Sequence, residues 1–411
     1  MTESEKTIEK MNQGPNPTKT NEAVYLRIPN WCVNYAVPIF FYIVIFLIYW
    51  AAFHHYFLDG KISDWASHRR FATTQTQRMP PNALFHRLIQ LFGNRDVTVA
   101  ALGAAMKVSV IIVIAELYLK RKNGLGFLKI ILATMVALAM PILFLATEQR
   151  PYLGKFAINV IHSPTYLIMV PFALGLWHIF TRRIIMEGNR NYGWIVAIGA
   201  LGLILAYAKP SFHLAFLPAA ALICLPIAIK NLKAFVWFLL LGIALALPIL
   251  FQMAELLFPQ TGGLTAPMGI EPFEVLSKFV RDPKGSFLSS YAFPIMVFLM
   301  LAFGFSFSQK IHPNIVQARH TFLLSLLVLA MAFVVAILFV ESGVRRYHGN
   351  LLWGIYVSGM VVTVEALTLC MAHIQAKSRR IFAWICLIVL ALHAYFGLRY
   401  AEKIFLNMGV L

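Results

Sequence analysis

The feature that most constrains this chain is a series of apolar runs, each about twenty residues long, separated by short polar stretches. A bilayer core about 30 Å thick requires about twenty residues of helix, and a helix satisfies its own backbone groups in lipid. Of the 411 residues, 60% are hydrophobic and only 13% are charged, with a mean hydropathy of +0.73. This is too little polar material to cover a water-soluble globule. The sequence therefore predicts an all-α, polytopic integral membrane protein.

The apolar runs predict about eleven transmembrane helices. The fifth run is short and ends at Lys209-Pro210. The fifth and sixth runs therefore also fit one broken hairpin, and a total of about ten to twelve spans stays open. The runs extend approximately from Val37 to Phe53, Val97 to Leu119, Phe127 to Thr147, Pro164 to Phe180, Trp194 to Tyr207, Phe212 to Ile229, Ala234 to Met253, Tyr291 to Phe307, Thr321 to Val340, Leu351 to His373 and Ile381 to Gly397.

The chain has one polar terminal segment. Residues 1–32 are of mixed charge and broken by prolines, with no apolar core before a small-residue cleavage site. We expect a disordered cytoplasmic tail rather than a cleaved signal peptide, followed by a single transmembrane domain over residues 33–411. The four cysteines stand singly, without a CxxC pair. Neither a disulfide framework nor a metal site is predicted, and no cofactor is expected.

The net charge of +18 would suggest nucleic acid in a soluble chain, but here the basic residues lie between hydrophobic spans and no nucleic-acid-binding pattern is present. Anionic membrane lipid or a lipid-linked phosphate is the expected partner. With the N-terminus inside, the compact clusters Lys120-Arg121-Lys122, Arg182-Arg183 and Arg379-Arg380 fall in short inner loops. We therefore predict the cytoplasmic (inner) membrane, with a cytoplasmic N-terminus and an external C-terminus.

Two long segments fall on the external side, at about 54–96 and 254–290. Within the first, the stretch from Pro80 to Gly93 has apolar residues at three-to-four spacing, which predicts an amphipathic helix on the membrane surface. The second carries a short amphipathic run from Pro272 to Val280. Together these helices would roof a cavity. Interfacial packing without a ligand is the alternative.

Polar residues concentrate in four external stretches. An arginine pair in a short external loop runs against the usual charge bias and suits contacts with phosphate oxygens. The alternatives are a helix cap for Asn159 to Thr165 and a snorkelling side chain for Lys209. The stretches contain Asp59 and Asp64 with His54 and His55; Arg150 with Asn159 and His162; Lys209; and Glu341 with Arg345, Arg346, His348 and Asn350.

Ionisable residues inside predicted spans include Lys107, Lys129 and Glu365. Charged groups in the bilayer are costly, so they indicate either function or pairing with one another. A proton-coupled transporter would use such a glutamate. The two halves of the chain show no similar pattern, so an inverted-repeat transporter is not favoured.

The layout resembles the GT-C class of membrane glycosyltransferases and, more loosely, polytopic proteins of bacterial surface-polysaccharide clusters. The segments NVIHSPTYLIMVP (159–171), KPSF (209–212) and RRYHGNLLWG (345–354) are similar to stretches of the latter proteins. The resemblance implies a sugar donor on polyprenyl (undecaprenyl) phosphate, a glycan or lipid-linked acceptor, and chemistry at the outer face of the membrane. It further implies an acidic base in the first external loop, either Asp59 or Asp64.

In this interpretation, the donor phosphate is bound by Arg345, Arg346, His348, Lys209 and Arg150. The residues that support them are Glu341, His162, Asn159, His54 and His55. A base toward the acceptor hydroxyl and cations toward the leaving phosphate meet the needs of glycosyl transfer. A polymerase or ligase of undecaprenyl-pyrophosphate-linked repeats would instead depend on Arg345, Arg346 and His348. A flippase or transporter of the lipid-linked saccharide is the third function that stays open.

Overall fold

The computed structural model describes residues 35–58, 64–74, 83–119, 126–142, 156–257, 268–280, 282–302, 312–341 and 349–405. This part of the chain is all-α apart from one short two-stranded ribbon. Its helices are α1 (Val37–Leu58), α2 (Asp64–Thr74), α3 (Ala83–Phe92), α4 (Asp96–Val113), α5 (Gly126–Leu138), α6 (Pro164–His178), α7 (Tyr192–Ala208), α8 (Ser211–Ala228), α9 (Leu232–Leu257), α10 (Glu274–Phe279), α11 (Pro283–Ala302), α12 (Pro313–Leu338), α13 (Leu352–Gln375) and α14 (Arg380–Phe405). Helices α4 and α6 each continue into a π-helical segment, Ile114–Tyr118 and Ile179–Met186.

Among the described residues, nine helices are long and apolar enough to cross a membrane. This confirms a multi-pass helical protein. Two further predicted spans correspond to α5 and α7, which are apolar but only 13 and 17 residues long. The break predicted at Lys209-Pro210 is present, because α7 ends at Ala208 and α8 begins at Ser211. The total of eleven spans stays a prediction.

Helix α13 is the innermost helix of the bundle, since 89% of its most apolar stretch is buried, against 17% for α1. Its small residues allow close helix contacts. A Cβ added at Gly354 would lie 2.8 Å from the Ser211 carbonyl oxygen, and one at Gly359 would lie 2.8 Å from side chains of both Ile158 and Tyr291. The first turns of α13 therefore contact several other elements.

Helix α5 ends inside the bundle, whereas the sequence predicted a continuous span from Phe127 to Thr147. The helix stops at Leu138, three residues before Pro141, which has no N–H and disfavours a helical conformation in the residue before it. At 13 residues it is about 20 Å long, too short to cross a bilayer core.

The non-helical residues after α5 obtain their hydrogen bonds from neighbouring helices. The ring Nδ1 of His393 donates to the Met140 carbonyl oxygen at 2.6 Å, and the Ile142 N–H donates to the Ser289 carbonyl oxygen at 2.8 Å. The Lys107 ammonium donates to the Ala137 carbonyl oxygen at 2.6 Å. Irregular backbone at this depth is tolerable because the protein, and not lipid, surrounds it.

Short helices occur in both long segments between the spans, and their place on the external membrane surface stays a prediction. Helix α3 ends at Phe92, where Gly93 takes φ +96° and donates its N–H to the Ile89 carbonyl oxygen, as expected for a glycine after a helix end. In the second segment, β1 (Met268–Ile270) pairs antiparallel with β2 (Phe339–Glu341), with Met268 opposite Glu341. Helix α10 follows β1 directly and is only six residues long.

Candidate functional site

The candidate site lies at the end of the bundle where α6, α8 and α13 all begin. The extended residues 156–163 lead into α6, and the break between α7 and α8 lies beside them. The Ser211 hydroxyl, at the start of α8, donates to the Asn350 carbonyl oxygen at 2.8 Å and so joins this break to the residues before α13. Three stretches far apart in sequence are thereby brought to one place.

Lys209 is the buried cation of this site and is only 4% exposed. Its ammonium donates to the Thr165 hydroxyl at 3.2 Å and lies 4.3 Å from the centroid of the Trp353 ring, within cation–π distance. Burial lowers the pKa of Lys209 to about 8, and the Asp64 and Glu341 carboxylates oppose that shift. The side chain is therefore still mostly charged at neutral pH.

His162 lies between a tyrosine and an acid. Its Nδ1 is 2.9 Å from the Tyr400 hydroxyl oxygen, and its Nε2 is 3.9 Å from an Asp64 carboxylate oxygen. The second distance is too long for a hydrogen bond. Burial lowers the pKa of His162 to about 4, with Asp64 acting in the opposite direction and Lys209 adding to the decrease. The imidazole is therefore neutral at neutral pH and able to accept a proton.

A pair of imidazoles joins the short helices α2 and α3. His68 on α2 and His86 on α3 approach to 2.9 Å between ring nitrogens, so one ring donates to the other. Burial lowers the pKa of His68 to about 3, with smaller contributions from Lys209 and His86. Burial, assisted by Arg87, lowers the pKa of His86 to about 4. Lys209 therefore acts electrostatically on His68, which places α2 beside the site.

Aromatic side chains surround the cation and the imidazole. The Trp353 ring centroid is 5.6 Å from that of Tyr166, 5.4 Å from that of Tyr356 and 6.4 Å from that of His162. Trp353 and Tyr356 remain partly exposed. This arrangement is an apolar wall with a small number of polar groups, as in binding sites for small organic molecules.

Glu341 lies at the edge of the same region. Its carboxylate accepts a hydrogen bond from the Asn350 side-chain amide at 2.6 Å. Its negative charge acts to raise the pKa of Lys209. Because Glu341 ends β2, the strand pair fixes the backbone at this edge. The supporting role predicted for Glu341 is compatible with this position.

The described residues bring together Asp64, His162, Lys209 and Glu341. Asn159 contacts a different cation, since its side-chain oxygen accepts a hydrogen bond from the Lys107 ammonium. His54 stacks on Trp50 of its own helix, with ring centroids 5.6 Å apart, and His55 is exposed. The other predicted site residues, Asp59, Arg150, Arg345, Arg346 and His348, lie outside the described residues.

Several residues of the site were not predicted from the sequence. The position of His68 one helical turn after Asp64 was an available signal, because residues four apart share a helix face. No local sequence pattern indicated Tyr400, which lies near the end of α14, or Trp353, which belongs to an apolar run. Within the described ranges, no group of three or more His, Cys, Asp or Glu side chains is arranged to hold a metal ion.

A second polar centre lies deeper in the bundle, around the fully buried Glu365. Its carboxylate accepts hydrogen bonds from the Trp177 indole at 3.0 Å, the Thr321 hydroxyl at 2.7 Å and the Arg182 guanidinium at 3.3 Å. Nearer the end of the bundle opposite Lys209, Lys129 pairs with Glu116 at 2.7 Å. Glu365 and Lys129 thus each have an ion-pair partner, whereas Lys107 donates to neutral oxygens.

The sequence matches no protein-family model, and it matches no curated protein.

Proposed function

We propose that this protein is a membrane glycosyltransferase of GT-C type, acting at the outer face of the cytoplasmic membrane in surface-polysaccharide synthesis. It would transfer a sugar from a polyprenyl-phosphate-linked donor to a glycan or lipid-linked acceptor. The observation that carries the proposal is the grouping of a buried cation, a neutral imidazole and a carboxylate beside an aromatic wall, at one end of an apolar bundle. An anionic, lipid-linked saccharide fits each of these features.

The reaction assigns a role to each group. A base removes the proton of the acceptor hydroxyl as its oxygen forms the new bond to the anomeric carbon. The bond from that carbon to the lipid phosphate oxygen breaks, and the phosphate leaves with the electron pair and a growing negative charge. Asp64, together with the neutral His162, supplies the base within the described residues. Lys209 stabilises the leaving phosphate.

Two parts of the proposal rest on residues outside the described ranges. Asp59 is the alternative base, and Arg345 with Arg346 would complete the phosphate site. A polymerase or ligase would depend on that arginine pair and His348 rather than on Asp64. Analysis of lipid-linked saccharides in a deletion strain separates the two functions: an unmodified short repeat indicates a transferase, whereas complete single repeats indicate a polymerase.

The direct test is reconstitution of the purified protein in liposomes with a polyprenyl-phosphate-linked sugar and an acceptor. We expect a new glycosidic bond and release of the carrier lipid, both lost in Lys209→Met and Asp64→Asn. His320→Gln is the control, because His320 is exposed near the start of α12 and belongs to neither polar centre. Full activity in the first two variants at normal protein level would contradict the site assignment.

A second candidate is a flippase or transporter of the lipid-linked saccharide, and the deep Glu365–Arg182 pair favours it. Ionisable groups at this depth commonly lie on transport or proton pathways. Liposomes that move labelled lipid-linked saccharide across the bilayer without bond formation, and that lose this movement in Glu365→Gln, would establish transport. Bond formation without movement would exclude it.

A further inference from the structure

The turn between α13 and α14, residues 376–379, lies at the end of the bundle opposite Lys209. Helix α13 begins beside Lys209 and has 24 residues, which gives a length of about 36 Å. Helix α12 begins at this opposite end and α11 ends there, because the Arg379 guanidinium donates to the Met300 carbonyl oxygen at 2.7 Å. We call this region the α13–α14 turn site.

The backbone of the turn is strained at two basic residues. Lys377 has φ +54° and Arg379 has φ +47°, both in the left-handed region, which is unfavourable for a non-glycine residue. The turn is closed by the Ser378 N–H, which donates to the His373 carbonyl oxygen at 3.0 Å. Glycine or asparagine would fit these positions more easily. The sequence instead places long cationic side chains there.

The charges in this site are close and of the same sign. Burial lowers the pKa of the Arg379 guanidinium, and the neighbouring Arg319 on α12 lowers it further. Arg379 forms no ion pair with any carboxylate among the described residues; its guanidinium donates to the neutral Met300 carbonyl oxygen. Two guanidiniums whose like charges act on each other, one of them partly buried, are stabilised by an anion that contacts both.

Apolar side chains lie directly beside these cations. Ile381 and Phe382, in the first turn of α14, are 76% and 59% exposed. In a multi-pass protein, exposed apolar residues at a helix end lie against lipid chains. Cationic side chains beside an apolar surface match a phospholipid, whose phosphate lies next to its acyl chains.

We propose that Arg319 and Arg379 bind the phosphate of an anionic membrane phospholipid, with its acyl chains against Ile381 and Phe382. The phosphate contacts both guanidiniums and offsets their mutual repulsion. The strained turn holds Arg379 in place for this contact. The site is independent of the proposed glycosyl transfer, because it lies at the other end of the bundle.

The test uses the full-length protein purified in a neutral detergent. The midpoint of thermal unfolding is measured with added phosphatidylglycerol, with phosphatidylcholine and with inorganic phosphate, and native mass spectrometry reports the phosphatidylglycerol that stays bound. We expect stabilisation by phosphatidylglycerol alone. Arg319→Gln should weaken its binding at least about tenfold, because a charge-assisted hydrogen bond contributes about 1.5–3 kcal/mol.

Two controls keep the test decisive. Arg319→Gln leaves the hydrogen bond from Arg379 to Met300 unaltered. A loss of phosphatidylglycerol binding in this variant therefore cannot result from the loss of that hydrogen bond. Arg380→Gln removes the same charge from the adjacent, exposed residue and should bind phosphatidylglycerol as the wild type does. Equal losses in Arg319→Gln and Arg380→Gln would overturn the proposal in favour of general charge attraction. Equal stabilisation by inorganic phosphate would overturn the lipid assignment.

Discussion

The Lys209 ammonium lies 4.3 Å from the centroid of the Trp353 ring, while its hydrogen bond goes to the neutral Thr165 hydroxyl. The cation is thus held by an aromatic face and a hydroxyl, with the Asp64 and Glu341 charges acting from further away. An ammonium whose close partners are neutral retains its attraction for an incoming anion. This relationship makes Lys209 the described residue best placed to contact a donor phosphate.

Binding of an anionic donor should therefore weaken as the pH rises through about 8, because burial lowers the pKa of Lys209 to about that value. The charged form, which attracts phosphate, predominates below this pH and is lost above it. The KM for lipid-linked donor, measured across this range, should rise with pH. In Lys209→Arg the rise should disappear, since a guanidinium stays charged. A wild-type KM that is constant across this range would contradict the assignment.

Gly397→Ala should destabilise the protein strongly, because a Cβ at Gly397 would overlap the Leu138 carbonyl group at the end of α5. Overpacking typically costs about 1–3 kcal/mol, and a backbone neighbour cannot rotate away, so we expect about 3 kcal/mol. The measurement is the midpoint of thermal unfolding in detergent.

Gly242→Ala is the matched control for this substitution. Gly242 also lies within a long helix, but nothing is within 4 Å of its added Cβ. Alanine there should be neutral or stabilise by up to about 1 kcal/mol, through its higher helix propensity. If Gly397→Ala cost no more stability than Gly242→Ala, α14 would not pack tightly on the end of α5.

The helical, multi-pass character was predictable because apolar length alone determines it. The break at Lys209-Pro210 was predictable from proline chemistry. The early end of α5 was not predicted, although the sequence contains Pro141. The apolar run from Phe127 to Thr147 is long enough for a complete span, and its length indicated a continuous helix. Its non-helical continuation depends on partners such as His393, which is more than 250 residues away in sequence.

The site was predictable only in part. Asp64, His162 and Lys209 were each selected as polar residues expected on one side of the membrane. Their proximity depends on helix packing, which no local pattern specifies. Tyr400 and Trp353 resembled ordinary apolar helix residues. Only the packed structure shows that the Trp353 ring lies beside Lys209 and the Tyr400 hydroxyl beside His162.

Glu365→Leu should destabilise the bundle by about 3–5 kcal/mol, because it leaves the Arg182 charge without its buried partner. The Trp177 and Thr321 donors also lose their acceptor. The double variant Arg182→Leu with Glu365→Leu should recover part of this loss, since no unpaired charge then remains. Unfolding in detergent gives both values.

Glu187→Leu is the control for the loss of an acid. Glu187 pairs with Arg183 at 2.8 Å, but both side chains are about half exposed, so the change should cost less than about 1 kcal/mol. A similar cost for Glu187→Leu and Glu365→Leu would show that the deep pair contributes no more to stability than a surface pair does.

The protein should lose stability in mild acid because of His68, His86 and His162. Burial holds their pKa values at about 3, 4 and 4, below the ordinary 6.5. Between about pH 6.5 and 4 the unfolded chain therefore binds protons that the folded chain does not, and the free energy of unfolding falls as the pH falls. The contribution of these residues is fully present above pH 6.5 and is lost progressively toward pH 4.

The midpoint of thermal unfolding, measured across this range, should decrease less steeply in His162→Gln than in the wild type. The exposed His320 provides the control, and His320→Gln should keep the wild-type slope. An equal decrease in all three proteins would show that carboxylates, rather than these imidazoles, govern the acid response.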